Sequence, residues 1–344
     1  MDTLAKLPAD ERRVYFEQAA VRLGRLTPQL IEKDFWVCWI LRRIFQLTEF
    51  RDHLTFKGGT SLSKAYHVIE RFSEDVDLAI ERTFLGFDGE REPEQGMTGN
   101  EQQRRVNALK EACQTTVARR LHPQLNEIVS EELGDTGNWK LSHEVHETDS
   151  LAILFHYPQA VVDRVQSYFT QSVRVELGAR SDHFPVESRT IRPYLSEAIA
   201  EACQESEVAV RVLAAERTFW EKATILHALC HQRGDKPMQK RLSRHFYDLF
   251  QLADHRIGRD AIKRIDLLER VAIHKSVFFK SAWAKYDEAR PGTLRLVPDA
   301  DRVRELKADY ASMQPMFFSN TPDFDVILNR LERLQNEINA EPQG

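Results

Sequence analysis

The residues from Lys57 to Ile80, KGGTSLSKAYHVIERFSEDVDLAI, carry the densest chemistry in this 344-residue chain. Asp75 and Asp77 are separated by one residue, and Val76, Leu78 and Ile80 alternate with Asp75, Asp77 and Ala79. That period of two predicts a strand with both carboxylates on one face, spaced to grip a hard divalent cation through oxygen. Upstream, Gly58 and Gly59 stand between a short apolar run, Leu54 to Phe56, and a helix predicted from Ser61 to Arg71. Glycines at a strand-to-helix turn let the backbone approach a phosphate, and the helix start offers unpaired N–H groups to it. Alone, a Gly-Gly is ordinarily a turn and an Asp-x-Asp a solvated strand edge. Joined in one strand-turn-helix-strand unit, they describe a nucleotide-phosphate site with metal.

The elements that would position these residues follow from periodicity. Residues 9 to 47 read as two helices, the second opened by Thr27 as N-cap and Pro28 at its first position. Residues 84 to 100 are rich in Gly and charge and read as a loop, followed by a helix from Gln102 to Leu125. Strands are predicted at Leu151 to Tyr157 and Ser172 to Leu177, the latter with Arg174 and Glu176 opposite Val173, Val175 and Leu177. From Tyr194 onward the pattern turns almost wholly helical, including Glu216 to Cys230, Leu242 to Ala253, Asp260 to Ser281 and Phe324 to Asn339. The expected fold class is α+β, a mixed sheet over residues 1–195 followed by a helical domain over 196–344.

Composition excludes several classes. Charged residues make up 29% of the chain and no Gly/Ser tract occurs, which argues for a folded protein. The longest apolar run, Phe35 to Leu41, is far short of the roughly 20 residues of a membrane span. Cys38, Cys113, Cys203 and Cys230 form no CxxC pair, so neither a zinc ribbon nor a disulfide framework is expected, and a reducing cytoplasm fits. With a formal charge of −5, contact with nucleic acid must be local. The stretch 231 to 245, HQRGDKPMQKRLSRH, is the basic segment available for it, and Arg233, Lys236, Lys240, Arg241 and Arg244 are the candidate RNA-phosphate contacts. His227 and His231, at i and i+4 without further ligands, read as structural. Trp139, Tyr157 and Phe169 give no base-stacking pattern separable from core packing.

The glycine turn followed by Arg71, Ser73, Asp75 and Asp77 in the spacing RxSxDxD resembles the AbiEii/AbiGii toxin group of nucleotidyltransferases, in the DNA polymerase β-like superfamily. EKDFW (Glu32 to Trp36), VRVELGAR (Val173 to Arg180), ERTFWEKATILHA (Glu216 to Ala228), RHFYDL (Arg244 to Leu249) and DY..M (Asp309, Tyr310, Met313) are similar to further blocks of that group, in the same order. The resemblance implies a polymerase β-like nucleotidyltransferase domain, with the helical domain contributing to the active-site cleft. It implies an NTP substrate, Mg²⁺ or Mn²⁺ as cofactor, and a toxin acting with a separately encoded antitoxin in a toxin–antitoxin or phage abortive-infection system. The expected acceptor is RNA, at the tRNA 3′ end, where added nucleotides would block translation.

Site residues follow the same motifs. Lys57, Gly58, Gly59, Thr60, Ser61 and Ser73 are the candidate nucleotide contacts. The gap from Gly59 to Asp75 exceeds the superfamily's usual spacing, which leaves open whether Thr60, Ser61 or neither meets the triphosphate. Two metal ions held by three carboxylates would suit nucleotidyl transfer, with Asp75, Asp77 and Glu176 as candidates. Glu176 could equally be a cross-strand partner of Arg174. The resemblance makes Lys222 a triphosphate ligand and Asp248 a carboxylate supporting that lysine, a metal or the acceptor. The bland alternatives are a solvated Lys222 paired with Glu216 or Glu221, and an Asp248 paired with Arg244 at i−4. Two other functional readings stand beside RNA transfer: nucleotide transfer to a protein hydroxyl, and an inactive nucleotide- or RNA-binding partner protein.

Overall fold

The computed structural model describes residues 1–73, 75–145, 151–162, 170–234, 236–319 and 321–340. Its helices are α1 (Asp2–Ala5), α2 (Ala9–Leu23), α3 (Pro28–Gln46), α4 (Gly58–Lys64), α5 (Gly99–Thr116), α6 (His122–Leu133), α7 (Tyr194–Ala198), α8 (Ala215–His231), α9 (Ser243–Asp254), α10 (Arg256–Ile262), α11 (Ile265–Phe278), α12 (Ala300–Ser312) and α13 (Phe324–Ala340). Its strands are β1 (Leu54–Lys57), β2 (Asp75–Ile80), β3 (Lys140–Val145), β4 (Leu151–His156), β5 (Val173–Gly178), β6 (Val186–Ile191) and β7 (Val208–Leu213). Two compact units result: residues 1–65, 72–92 and 104–212 form the first, and residues 66–71, 93–103 and 213–344 the second. No described helix is long and apolar enough to cross a membrane, and all four cysteines are buried thiols.

The first unit is built on a seven-stranded sheet in the order β3-β4-β5-β2-β1-β7-β6. It is mixed, as expected: β2 runs antiparallel to β1 and parallel to β5, while β1 runs parallel to β7. Alternation in β2 and β5 sends Val76, Leu78, Ile80, Val173, Val175 and Leu177 into the core. Helix α3 supplies aromatic rings to that core. Trp36 meets Phe155 edge-on, Trp39 stacks on Phe155, and Tyr157 stacks on Trp36. Trp139 donates its indole N–H to the Gly134 carbonyl, and Phe169 lies outside the described residues.

Three consecutive charged residues of α3 are almost fully buried, and each ties down a chain segment. Glu32 accepts backbone N–H bonds from Ala160 (2.6 Å) and Val161 (2.9 Å). Lys33 donates to the Thr170 carbonyl at 2.9 Å. Asp34 accepts from Tyr194 N at 2.6 Å and pairs with Lys64 Nζ at 2.7 Å. Lys64 also lies 3.7 Å from the Tyr194 ring centroid, and the Tyr194 hydroxyl is 3.0 Å from Ser63 Oγ. The last turn of α4 is thus fastened to α3 and α7 by buried charge.

Several sequence expectations need correction. The helix expected from Ser61 to Arg71 ends at Lys64, and His67 adopts a left-handed φ of 53°. Gln102 to Leu125 is α5, a π turn and α6, with Pro123 in the first turn of α6. Asp260 to Ser281 resolves into α10 and α11. The segment after Tyr194 is not wholly helical, because Val208, Val210 and Val212 alternate into the core as β7. Strands β3 and β6 and helix α12 were also absent from the sequence reading. By contrast, Thr27 caps α3 as expected, accepting from Leu30 N at 3.3 Å.

Asp34→Ala leaves the Lys64 ammonium buried without its partner, and we expect a loss of about 3–5 kcal/mol in unfolding free energy. Chemical denaturation checks it. Asp34→Leu combined with Lys64→Met, which removes both charges, should lose less than Asp34→Ala alone.

Candidate active site

The turn between β1 and α4 is shaped around Asp77. Gly58 has φ +79°, and a Cβ at this position would stand 2.0 Å from Asp77 Oδ2. Only glycine allows both the left-handed backbone and that approach. The β1–β2 register sets Lys57 opposite Asp77, so the two share a sheet face. Thr60 is buried and donates its hydroxyl to the Asp75 carbonyl, while Ser61 donates to the Gly58 carbonyl at 2.9 Å. Thr60 therefore ties α4 to the start of β2, and Ser61 binds the turn itself. Gly59 is buried inside α4, and Ser73 is half-buried just before β2.

The acidic face spans two parallel strands in register. Asp75 lies opposite Arg174, and Asp77 opposite Glu176. The Glu176 carboxylate accepts from Arg174 Nε at 3.0 Å, and Arg174 also donates from Nη1 to Glu144 at 2.9 Å. Burial works against the Arg174 guanidinium, but Glu176, Glu144 and Asp75 hold its pKa above the ordinary value. Among the described residues no three Asp, Glu, His or Cys side chains converge as a metal cage. The donor set of Asp75 and Asp77 still fits a hard cation, because Mg²⁺ is commonly held by one or two carboxylates completed by substrate phosphates and water. Glu176 lies next to Asp77 in register, with Arg174 as its ion-pair partner.

In the second unit the structure brings Lys222 and Asp248 together. Asp248 is fully buried on α9 and accepts from Lys222 Nζ at 2.6 Å. It also accepts both arms of Arg71, Nε at 2.7 Å and Nη2 at 2.8 Å. Burial would raise the Asp248 pKa, but Arg71 and Lys222 overcome it and hold the carboxylate well below its usual range. Burial pulls the Lys222 pKa down, with Asp248 opposing. Lys222 also reaches His245 Nδ1 at 3.4 Å, and burial beside Lys222 and Arg244 keeps that imidazole neutral. The bland pairings are excluded: Lys222 is 5% exposed and joined to Asp248, and Asp248 binds Arg71 and Lys222 across the fold. Sequence reasoning missed Arg71 and His245 as members of this cluster. The arginine of RxSxDxD was the available signal for the first.

The basic stretch forms the connection from α8 to α9. Arg233, Lys236 and Lys240 are exposed, and Arg241 and Arg244 half-buried. His227 is structural, as expected: its Nε2 donates to the Lys285 carbonyl at 3.0 Å and its Nδ1 accepts from Arg295 N at 3.1 Å. Burial pushes its pKa down to about 4.

Two outcomes follow. Gly58→Ala should impose a strained φ and displace the Asp77 carboxylate, lowering transfer activity far more than the melting temperature. Asp248→Ala should cost about 3–5 kcal/mol, because it strands two buried cations. The carboxylate's pKa is depressed on folding, so its contribution is full above the unfolded Asp value of about 3.9 and declines as pH falls below it. The stability gap between wild type and Asp248→Ala should therefore hold steady at neutral pH and narrow only in acid, measured by denaturation across pH.

A family profile described as nucleotidyl transferase AbiEii toxin, type IV toxin–antitoxin system, matches residues 39–330. Among solved structures, the chain is similar to MenT4, a nucleotidyltransferase toxin from Mycobacterium tuberculosis, at 18% identity and a TM-score of 0.46. That alignment covers 95% of this chain and 96% of the other. A comparison with curated proteins found no match. The family match runs from Trp39 to Arg330 and takes in both charged clusters, and the chain belongs to the AbiEii family of nucleotidyltransferase toxins of type IV toxin–antitoxin systems.

Proposed function

We propose that the chain transfers a nucleotide from an NTP to the 3′-hydroxyl of an RNA, with the tRNA 3′ end as the acceptor and arrest of translation as the result. Membership of the family implies an NTP substrate and a cognate antitoxin. The observation that carries the reading is the packing of Gly58 against the Asp77 carboxylate, which joins the glycine turn and the Asp-x-Asp strand in one unit. In the reaction the acceptor oxygen forms a bond to the α-phosphorus, the α–β phosphoanhydride breaks, and pyrophosphate leaves as the hydroxyl proton is lost. Catalysis of such transfers rests on positioning and charge neutralisation.

Asp75 and Asp77 are the proposed ligands of Mg²⁺ or Mn²⁺, with Glu176 beside them in register. A bound ion there would neutralise phosphate charge. Lys57 and the backbone of Gly58 and Gly59, with Thr60, Ser61 and Ser73 around them, are the proposed nucleotide surface. Lys222, held by Asp248, is the proposed ligand of the leaving phosphates. Arg233, Lys236, Lys240, Arg241 and Arg244 are proposed to meet RNA phosphates.

The test is incubation of the purified protein with each labelled NTP, total RNA and cell extract, comparing wild type with Asp75→Ala and Asp77→Ala. We expect label in RNA, reduced by about a thousandfold or more in both variants, with melting temperatures close to wild type. Label confined to protein would replace RNA with a protein acceptor. No aspartate-dependent label under varied metal would overturn the enzyme reading.

A further inference from the structure

The described residues between α8 and α9 are largely exposed and form no helix or strand, yet one helix holds both ends of the connection. Arg302 of α12 is buried and donates from Nη2 to the carbonyls of Arg233 (3.1 Å) and Lys236 (3.2 Å). Seven residues on, and therefore on the same face of α12, Asp309 accepts from Arg241 N at 2.6 Å. It also accepts from Ser243 N at 2.9 Å and Ser243 Oγ at 2.6 Å. Ser243 is the first residue of α9, so the Asp309 carboxylate also meets the positive end of that helix. At the Asp309 clamp, Arg241 adopts φ +65°, a conformation that non-glycine residues rarely take and that persists where surroundings impose it.

A surface loop with no further role has no need of a buried arginine, a bidentate carboxylate and a left-handed arginine. Among its described residues the charged side chains are cationic, exposed Arg233, Lys236 and Lys240 and half-buried Arg241, and half-buried Arg244 follows in the first turn of α9. Arg244, in the first turn of α9, precedes His245, whose Nδ1 lies 3.4 Å from Lys222 Nζ, so the basic stretch ends at the Lys222–Asp248 cluster of the same unit. We propose that Arg302 and Asp309 preform this loop as a dock for the phosphodiester backbone of the RNA acceptor. The inference rests on the proposed RNA acceptor and adds two positioning residues on α12 that touch no substrate. A loop held in its bound shape loses less freedom on binding, so the anchors raise affinity without adding a contact.

The test measures binding of total tRNA to the full chain across salt concentration, alongside hydrogen exchange of residues 236–243 and steady-state labelling of RNA. Lys236→Glu combined with Lys240→Glu should weaken binding and lower the salt slope by about one per lysine. Asp309→Asn should speed exchange at Arg241 and Ser243 and weaken binding about tenfold with the salt slope kept, since every cation remains. Its effect should fall on KM for RNA rather than on kcat. Ser243→Ala, which removes one of the three bonds, should shift the same quantities in the same direction by less, and serves if Asp309→Asn fails to fold. Faster exchange with unchanged RNA affinity would overturn the inference while leaving RNA as acceptor. Loss of a protein partner in place of RNA would also overturn it. Absence of both RNA binding and RNA labelling in wild type would instead overturn the RNA acceptor, and the dock with it.

Discussion

A carboxylate buried to zero exposure, Asp248, sets the terms for the second unit. In a low-dielectric interior an ionised group survives only if nearly every lone pair is matched by a donor and its charge by a cation. Arg71 supplies two parallel donors and Lys222 a third, which brings two cations to one anion. The surplus positive charge bears on His245, which stays neutral and accepts from Lys222. Residues 66–71 belong to the second unit although α4 before them and β2 after them belong to the first. Periodicity suggested a helix continued to Arg71; the chain instead leaves α4 at Lys64 and passes through a left-handed His67.

The same rule governs the first unit. Glu32, Lys33 and Asp34 are consecutive residues of a buried helix, and each is matched to a donor or acceptor from a different segment. The EKDFW block therefore anchors chain segments through buried charge. The DY..M block has a comparable meaning on α12. Asp309 holds the start of α9, Tyr310 packs against Phe317 and Phe324, and buried Met313 places its sulfur 3.1 Å from Ser243 Oγ. Blocks that resemble a family at the level of sequence are here the points where distant segments are fastened by charge.

What was legible in the sequence was local, and what was not depended on distant partners. The alternation of β2 and β5, the Thr27 cap and the glycine turn each follow from a few adjacent residues. Strand β7 had the same alternation in VAVRVL, but surrounding helical patterns obscured it. Strand β6, VESRTI, faces largely outward and carries no apolar stripe to detect. Pairings across the fold were beyond reach: Asp248 with Arg71 lies 177 positions apart, and Asp309 with Arg241 68. The local alternatives, Glu216 or Glu221 for Lys222 and Arg244 for Asp248, turned out not to be the partners.

The register of β2 against β5 carries one more consequence. Asp75, Asp77 and Glu176 occupy adjacent positions on one face, an arrangement that like-charge repulsion across strands disfavours. Arg174 resolves it from within the sheet: it stands opposite Asp75, pairs with Glu176, and reaches Glu144. One guanidinium thereby offsets the acids on either side without taking up a position on β2. The two carboxylates of the Asp-x-Asp strand then stand on one face, with Lys57 opposite Asp77 and Gly58 packed against it.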